Sequence, residues 1–124
     1  MNTNYRRQVE AVLNKDYAHE LPDKPRSKDY NRVIRNMLVN MFPEAKIIPT
    51  KGTWCQASGF ISFPDGNYLY YIFPDYRYDK WDERILIRTA KDEHDYTGGA
   101  NHYADLDKLR DEAEWLHRCM AHSA

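Results

Sequence analysis

The stretch that decides the fold is Phe60-Ile61-Ser62-Phe63-Pro64-Asp65-Gly66-Asn67-Tyr68-Leu69-Tyr70-Tyr71-Ile72-Phe73. Two runs of β-branched and aromatic residues flank Pro-Asp-Gly-Asn. Pro fixes φ, Asp hydrogen-bonds locally, and Gly supplies a positive φ. The reading is an antiparallel hairpin over 60–73, with Gly66 in the left-handed region. The second run, Tyr68–Phe73, is apolar at nearly every position. A strand without alternation is covered on both faces, so it belongs at the centre of a sheet.

The extended pattern continues on both sides. Lys46–Thr50 reads as a short strand and Thr53–Phe63 as a longer one, with Gly59 as a bulge or close-approach point. Arg84–Thr89 reads as the last strand. Before residue 43 the period is helical. Asn2 or Thr3 caps a helix to about Lys15, with Tyr5, Val9, Val12 and Leu13 on one face. Pro22 and Pro25 break the chain between Glu20 and Arg26. Ser27 caps a second helix ending at Phe42, before Pro43, with Tyr30, Ile34, Met37, Leu38 and Met41 as its buried stripe. A last helix runs from about Ala104 to Ala121, capped by Asn101, on Leu106, Leu109, Ala113, Leu116 and Met120. The expected fold is one α+β domain over 1–124: a four-stranded antiparallel meander with two N-terminal helices and one C-terminal helix.

Composition excludes several classes. The chain has 124 residues and a net charge of −1, so it is not a globally basic nucleic-acid binder. Aromatics make up 14%, ten of them Tyr, which suits interfaces and half-buried sheet faces. Charge is uneven: residues 1–43 carry eight Lys/Arg against five Asp/Glu, and the remainder ten against fourteen. No run approaches the ~18 apolar residues of a spanning helix, so a soluble, cytoplasmic protein without membrane contact is expected. Cys55 and Cys119 lack metal-ligand spacing and read as two buried free thiols.

Three regions concentrate functional side chains. On the second helix, Lys28, Arg32 and Arg35 recur at i, i+4 and i+7, opposite the apolar stripe, with Arg26 at its entrance. That pattern suits an acidic partner or phosphates; an ordinary solvated face is the plain alternative. In the loop 74–83, Tyr76, Arg77, Tyr78 and Trp81 are interface residue types, unless the aromatics fold back over the sheet. The loop from Thr89 to Tyr103 gathers Lys91, His94, Asp95, Asn101 and His102 after Arg88. Arg88 and Lys91 suit an anion, with Gly98-Gly99 letting backbone N–H groups approach it. A purely local turn explains the same residues.

His94, Asp95 and His102 are also the best candidates for a divalent metal or for acid–base work. Their spacing fits no familiar ligand signature, and no metal or cofactor is expected. No nucleophile elbow, phosphate-binding Gly loop or Glu-x-Lys nuclease pattern is present. His117 and His122 read as surface residues. A double-stranded-RNA-binding domain shares part of the element order, but here the last helix opens with Asp105 and Asp107 rather than with lysines.

The runs Arg88-Thr89-Ala90-Lys91 and Asp95-Tyr96-Thr97-Gly98-Gly99-Ala100-Asn101 resemble small proteins of phages and mobile elements. The resemblance implies a single-domain binding protein, including inhibitors of host immune effectors of the anti-CRISPR kind. Its partner would be a host protein or protein–nucleic-acid complex. Direct nucleic-acid binding and a small metal-dependent or acid–base enzyme are the alternatives.

Overall fold

The computed structural model describes Arg7 and residues 28–50, 57–73, 85–95 and 99–123. The expected first helix, apart from Arg7, and the loop 74–83 lie outside the described residues.

Helix α1 spans Lys28–Met41. Its buried positions are Ile34, Met37, Leu38 and Met41, spaced by three and four as one helix face requires. The Phe42 N–H donates to the Leu38 carbonyl (2.8 Å), and Pro43 then ends the helix because it has no N–H to continue the ladder. The strands are β1 (Lys46–Pro49), β2 (Ala57–Ser62), β3 (Tyr68–Phe73), β4 (Ile85–Ala90) and β5 (His102–Ala104). They form one antiparallel sheet in chain order, β1-β2-β3-β4-β5. Strand β3 is central, as its unbroken apolar run predicts.

The β2–β3 hairpin is tight. Gly66 N–H donates to the Phe63 carbonyl (3.1 Å), and Phe63 N–H to the Asn67 carbonyl (2.9 Å). Gly66 has φ +88°. This is a turn with Pro at its second position, followed by a left-handed Gly. Asp65 accepts from the Asn67 N–H (3.1 Å) and locks it.

The sheet has five strands, not four. His102–Ala104, expected as loop and helix start, pairs with Ile85–Ile87. Three residues are too few to show a period in sequence; the pairing comes from the exposed edge of β4. The closing helix therefore starts later. A 3₁₀ turn covers Leu106–Lys108, with Asp105 at its N-cap position, and α2 covers Leu109–Ser123. Asn101 precedes β5 and caps no helix.

Both helices lie on one face of the sheet. Ile34, Met37, Leu38 and Phe42 meet Ile61, Leu69, Tyr71, Phe73, Ile85 and Ile87, and Leu106, Leu109 and Ala113 complete this core. Gly59 makes one contact possible: a Cβ there would stand 2.5 Å from the Tyr71 hydroxyl and 2.6 Å from the Ile48 carbonyl oxygen. The position is a close approach, as the sequence allowed. The opposite face carries Phe60, Tyr70 and Ala90, with Ile48, Tyr68, Ile72 and Leu86 beside them. Cys119, expected buried, is exposed, because it lies beside rather than on the stripe that packs inward. Cys55 lies outside the described residues. Among the described residues, no helix is long and apolar enough to cross a membrane.

Candidate binding surface

The polar loop after β4 is held by its own side chains. Asp92 Oδ1 accepts from the His94 N–H (2.8 Å), and the Asp92 carbonyl accepts from the Asp95 N–H (3.3 Å). Asp95 Oδ2 accepts from the Lys91 N–H (3.0 Å). These are the local aspartate turns that compete with regular structure. Gly99 has φ +76°, and a Cβ on it would lie 2.5 Å from Thr89 Oγ1 and 3.1 Å from Arg88 Cγ. Its close approach is to β4 itself.

The candidates His94, Asp95 and His102 are not brought together. The His94 side chain is 80% exposed and pairs with Glu93 at 3.7 Å. Asp95 closes the loop. His102 turns to α2, where its Nε2 meets Glu112 Oε2 at 2.7 Å and its ring leans on Trp115 (centroids 5.5 Å). Among the described residues, no group of three His, Cys, Asp or Glu could hold a metal ion. Arg88 lies opposite Tyr70 on β3 and holds its guanidinium over that ring, 5.2 Å from the centroid. Lys91 and Asn101 are exposed.

Helix α1 presents a coherent outer face. Arg32, Arg35, Asn36, Val39 and Asn40 are exposed, at i, i+3, i+4, i+7 and i+8, while Ile34, Met37 and Leu38 point inward. Two guanidinium groups and two amides flank one aliphatic side chain, with no carboxylate among these five. Lys28 belongs to α1, but its side chain lies outside the described residues, as do Arg26, Tyr76, Arg77, Tyr78 and Trp81. The face stands on a rigid base. Arg110 of α2 donates from Nη1 to the Met41 carbonyl (2.7 Å) and grips Glu44 with both Nη atoms (2.9 and 2.7 Å). Its Nε donates to Glu114 (2.6 Å), and its guanidinium lies 4.9 Å from the Phe42 ring centroid. The hydrogen bond from Arg110 holds the Glu44 carboxyl below its usual range, and Glu44 in turn raises Arg110.

Sequence reasoning missed this clamp and a second one. His117, read as a surface residue, stacks on Phe63 (centroids 3.8 Å, 12° between planes), and its Nε2 meets Asp65 Oδ2 at 2.7 Å. Burial pushes the Asp65 carboxyl up; hydrogen bonds from the Asn67 N–H and from His117 outweigh it and leave the carboxyl below its usual value. The only local signal was the i, i+4 pair Arg110–Glu114. Sequence also did not mark Trp115 and Tyr103, each 49% exposed. Compared with protein-family models, with curated proteins and with solved structures, the chain matches none.

Proposed function

We propose that this is a non-enzymatic binding protein whose contact surface is the outer face of α1, docked on an acidic surface of a protein partner. The observation that carries the reading is the exposed row Arg32, Arg35, Asn36, Val39 and Asn40 on a helix clamped at its C-terminal end. Arg is a hot-spot residue type at protein interfaces, and an aliphatic side chain between charges gives such a surface a dry centre. The binding reading is preferred to the catalytic alternative because Asp95 accepts from the Lys91 N–H and His102 contacts Glu112, so the two do not act on a common centre with His94. The narrower reading, an inhibitor of a host nucleic-acid-handling immune effector of the anti-CRISPR kind, rests on the resemblance of residues 88–101 alone.

Direct nucleic-acid binding is the second reading. It is favoured by the same pairing of Arg with Asn, the side chains that read guanine and adenine edges. One experiment separates the two. The wild type and an Arg32→Glu/Arg35→Glu variant are used to capture partners from host lysate, with and without nuclease. The expected result is a protein partner retained after nuclease treatment and lost in the variant. Loss of the partner on nuclease treatment, with steep salt dependence, supports the second reading. Full capture by a folded double variant removes α1 as the contact surface.

A further inference from the structure

The two helices form one layer. Both pack on the same face of the sheet, α1 over β1 and β2, α2 over β3 and β4. Arg110 of α2 ties them together, donating to the Met41 carbonyl at the end of α1 and holding Glu44 just beyond it. The outer surfaces of the helices are therefore fixed side by side, which lowers the ordering cost of docking on both at once.

Those surfaces carry opposite charge. The exposed positions of α1 include Arg32 and Arg35 and no carboxylate. Leading into α2 and along it, the exposed charged residues are Asp105, Asp107 and Asp111 against Lys108 and Arg118. The acids all lie in the first half of this stretch. Glu112 and Glu114 stand among them, held by His102 and Arg110. Each helix also exposes one large apolar side chain, Val39 at 40% and Trp115 at 49%. A Trp bordered by charge is an interface hot-spot type.

We propose that the helix layer pairs with that of a second copy of this chain, α1 of each copy lying on α2 of the other. Resting on the reading of α1 as a contact surface, this makes the acidic partner surface the start of α2 in another copy. Arg32 and Arg35 meet Asp107 and Asp111, and Val39 meets Trp115. Because the two helices share one layer, a two-fold axis running between them brings the basic helix onto the acidic one twice, so the assembly closes as a dimer. Each helix is roughly 20 Å long and 10 Å wide, which gives a small interface. A dissociation constant on the order of 10–100 µM follows.

The test is sedimentation equilibrium of the purified protein from about 1 to 300 µM, with folding checked by circular dichroism. Two charge-reversed variants are compared with the wild type: Arg32→Glu/Arg35→Glu and Asp107→Arg/Asp111→Arg. The wild-type mass should rise toward twice that of the monomer, and less so in about 0.5 M salt. Each variant alone sets like charges against each other at both contacts and should stay monomeric. An equimolar mixture of the two restores opposite charges at both contacts and should dimerise again. A wild type that is monomeric throughout, growth beyond a dimer, a folded variant that dimerises like the wild type, or a mixture of folded variants that stays monomeric overturns the proposal. If Asp107→Arg/Asp111→Arg does not fold, Val39→Asp replaces it: it should be monomeric, and dimerisation at wild-type affinity overturns the proposal. A monomeric wild type that still captures a protein from host lysate through Arg32 and Arg35 overturns the dimer alone and leaves α1 as a surface for another partner.

Discussion

Replacing Arg110 with Ala tests the clamp that positions α1. Four contributions disappear together. The Met41 carbonyl, one of the acceptors left without an intrahelical partner at a helix C-terminus, loses its donor at 2.7 Å. That costs about 1 kcal/mol. The bidentate pair with Glu44 is about one-third exposed and so contributes roughly 0.5–1 kcal/mol. The guanidinium over Phe42 adds about 0.5 kcal/mol at such a site, and the i, i+4 pair with Glu114 a few tenths. The expected total is about 2–3 kcal/mol, or a fall in Tm of roughly 6–10 °C. Urea denaturation measures the free energy. A double-mutant cycle with Glu44→Ala should give a coupling of about 0.5–1 kcal/mol, smaller at high salt. Arg110→Lys keeps the charge but cannot reach both Met41 and Glu44 with a fork, so it should recover less than half of the loss. An Arg110→Ala protein within ~0.5 kcal/mol of wild type would refute the claim that this side chain ties the two helices together.

Gly66→Val should cost about 1–2 kcal/mol through left-handed backbone strain alone, since nothing lies within 4 Å of the added Cβ; an unchanged Tm would reject the turn. Gly59→Ala should cost about 2 kcal/mol or more because the new Cβ would meet both the Tyr71 hydroxyl and the Ile48 carbonyl oxygen; chemical denaturation at or above wild-type stability would show the approach to be slack. Glu44 has a depressed carboxyl in the folded state, so its contribution is present above the unfolded value and is lost as pH falls through the folded one. Between about pH 6 and pH 3, wild-type Tm should therefore drop further than that of Glu44→Gln; parallel curves would contradict the assignment. Arg32→Glu/Arg35→Glu should change stability by less than ~1 kcal/mol, measured by urea denaturation, because both residues are exposed.

Local chemistry determined much of the fold. Pro64, Asp65 and Gly66 specify a turn whatever surrounds them, because φ preferences belong to single residues. The run Tyr68–Phe73 announces a central strand because an apolar residue at every position must be covered twice. The 3.6-residue spacing of Ile34, Met37, Leu38 and Met41 orients α1 without knowledge of its neighbours, and so puts Arg32 and Arg35 outside. What tertiary structure decided was every relation between distant segments. His102–Ala104 becomes a strand only because β4 offers an open edge, and that pairing moves the start of α2 and takes the cap from Asn101. His94, Asp95 and His102 look like one constellation along the chain. Asp92 and Asp95 instead close the loop on itself, and Glu112 draws His102 to the helix. The clamps Arg110–Glu44 and His117–Asp65 join residues 66 and 52 positions apart. No periodicity encodes such pairs, because long polar side chains choose partners by the distances the packed core leaves between them.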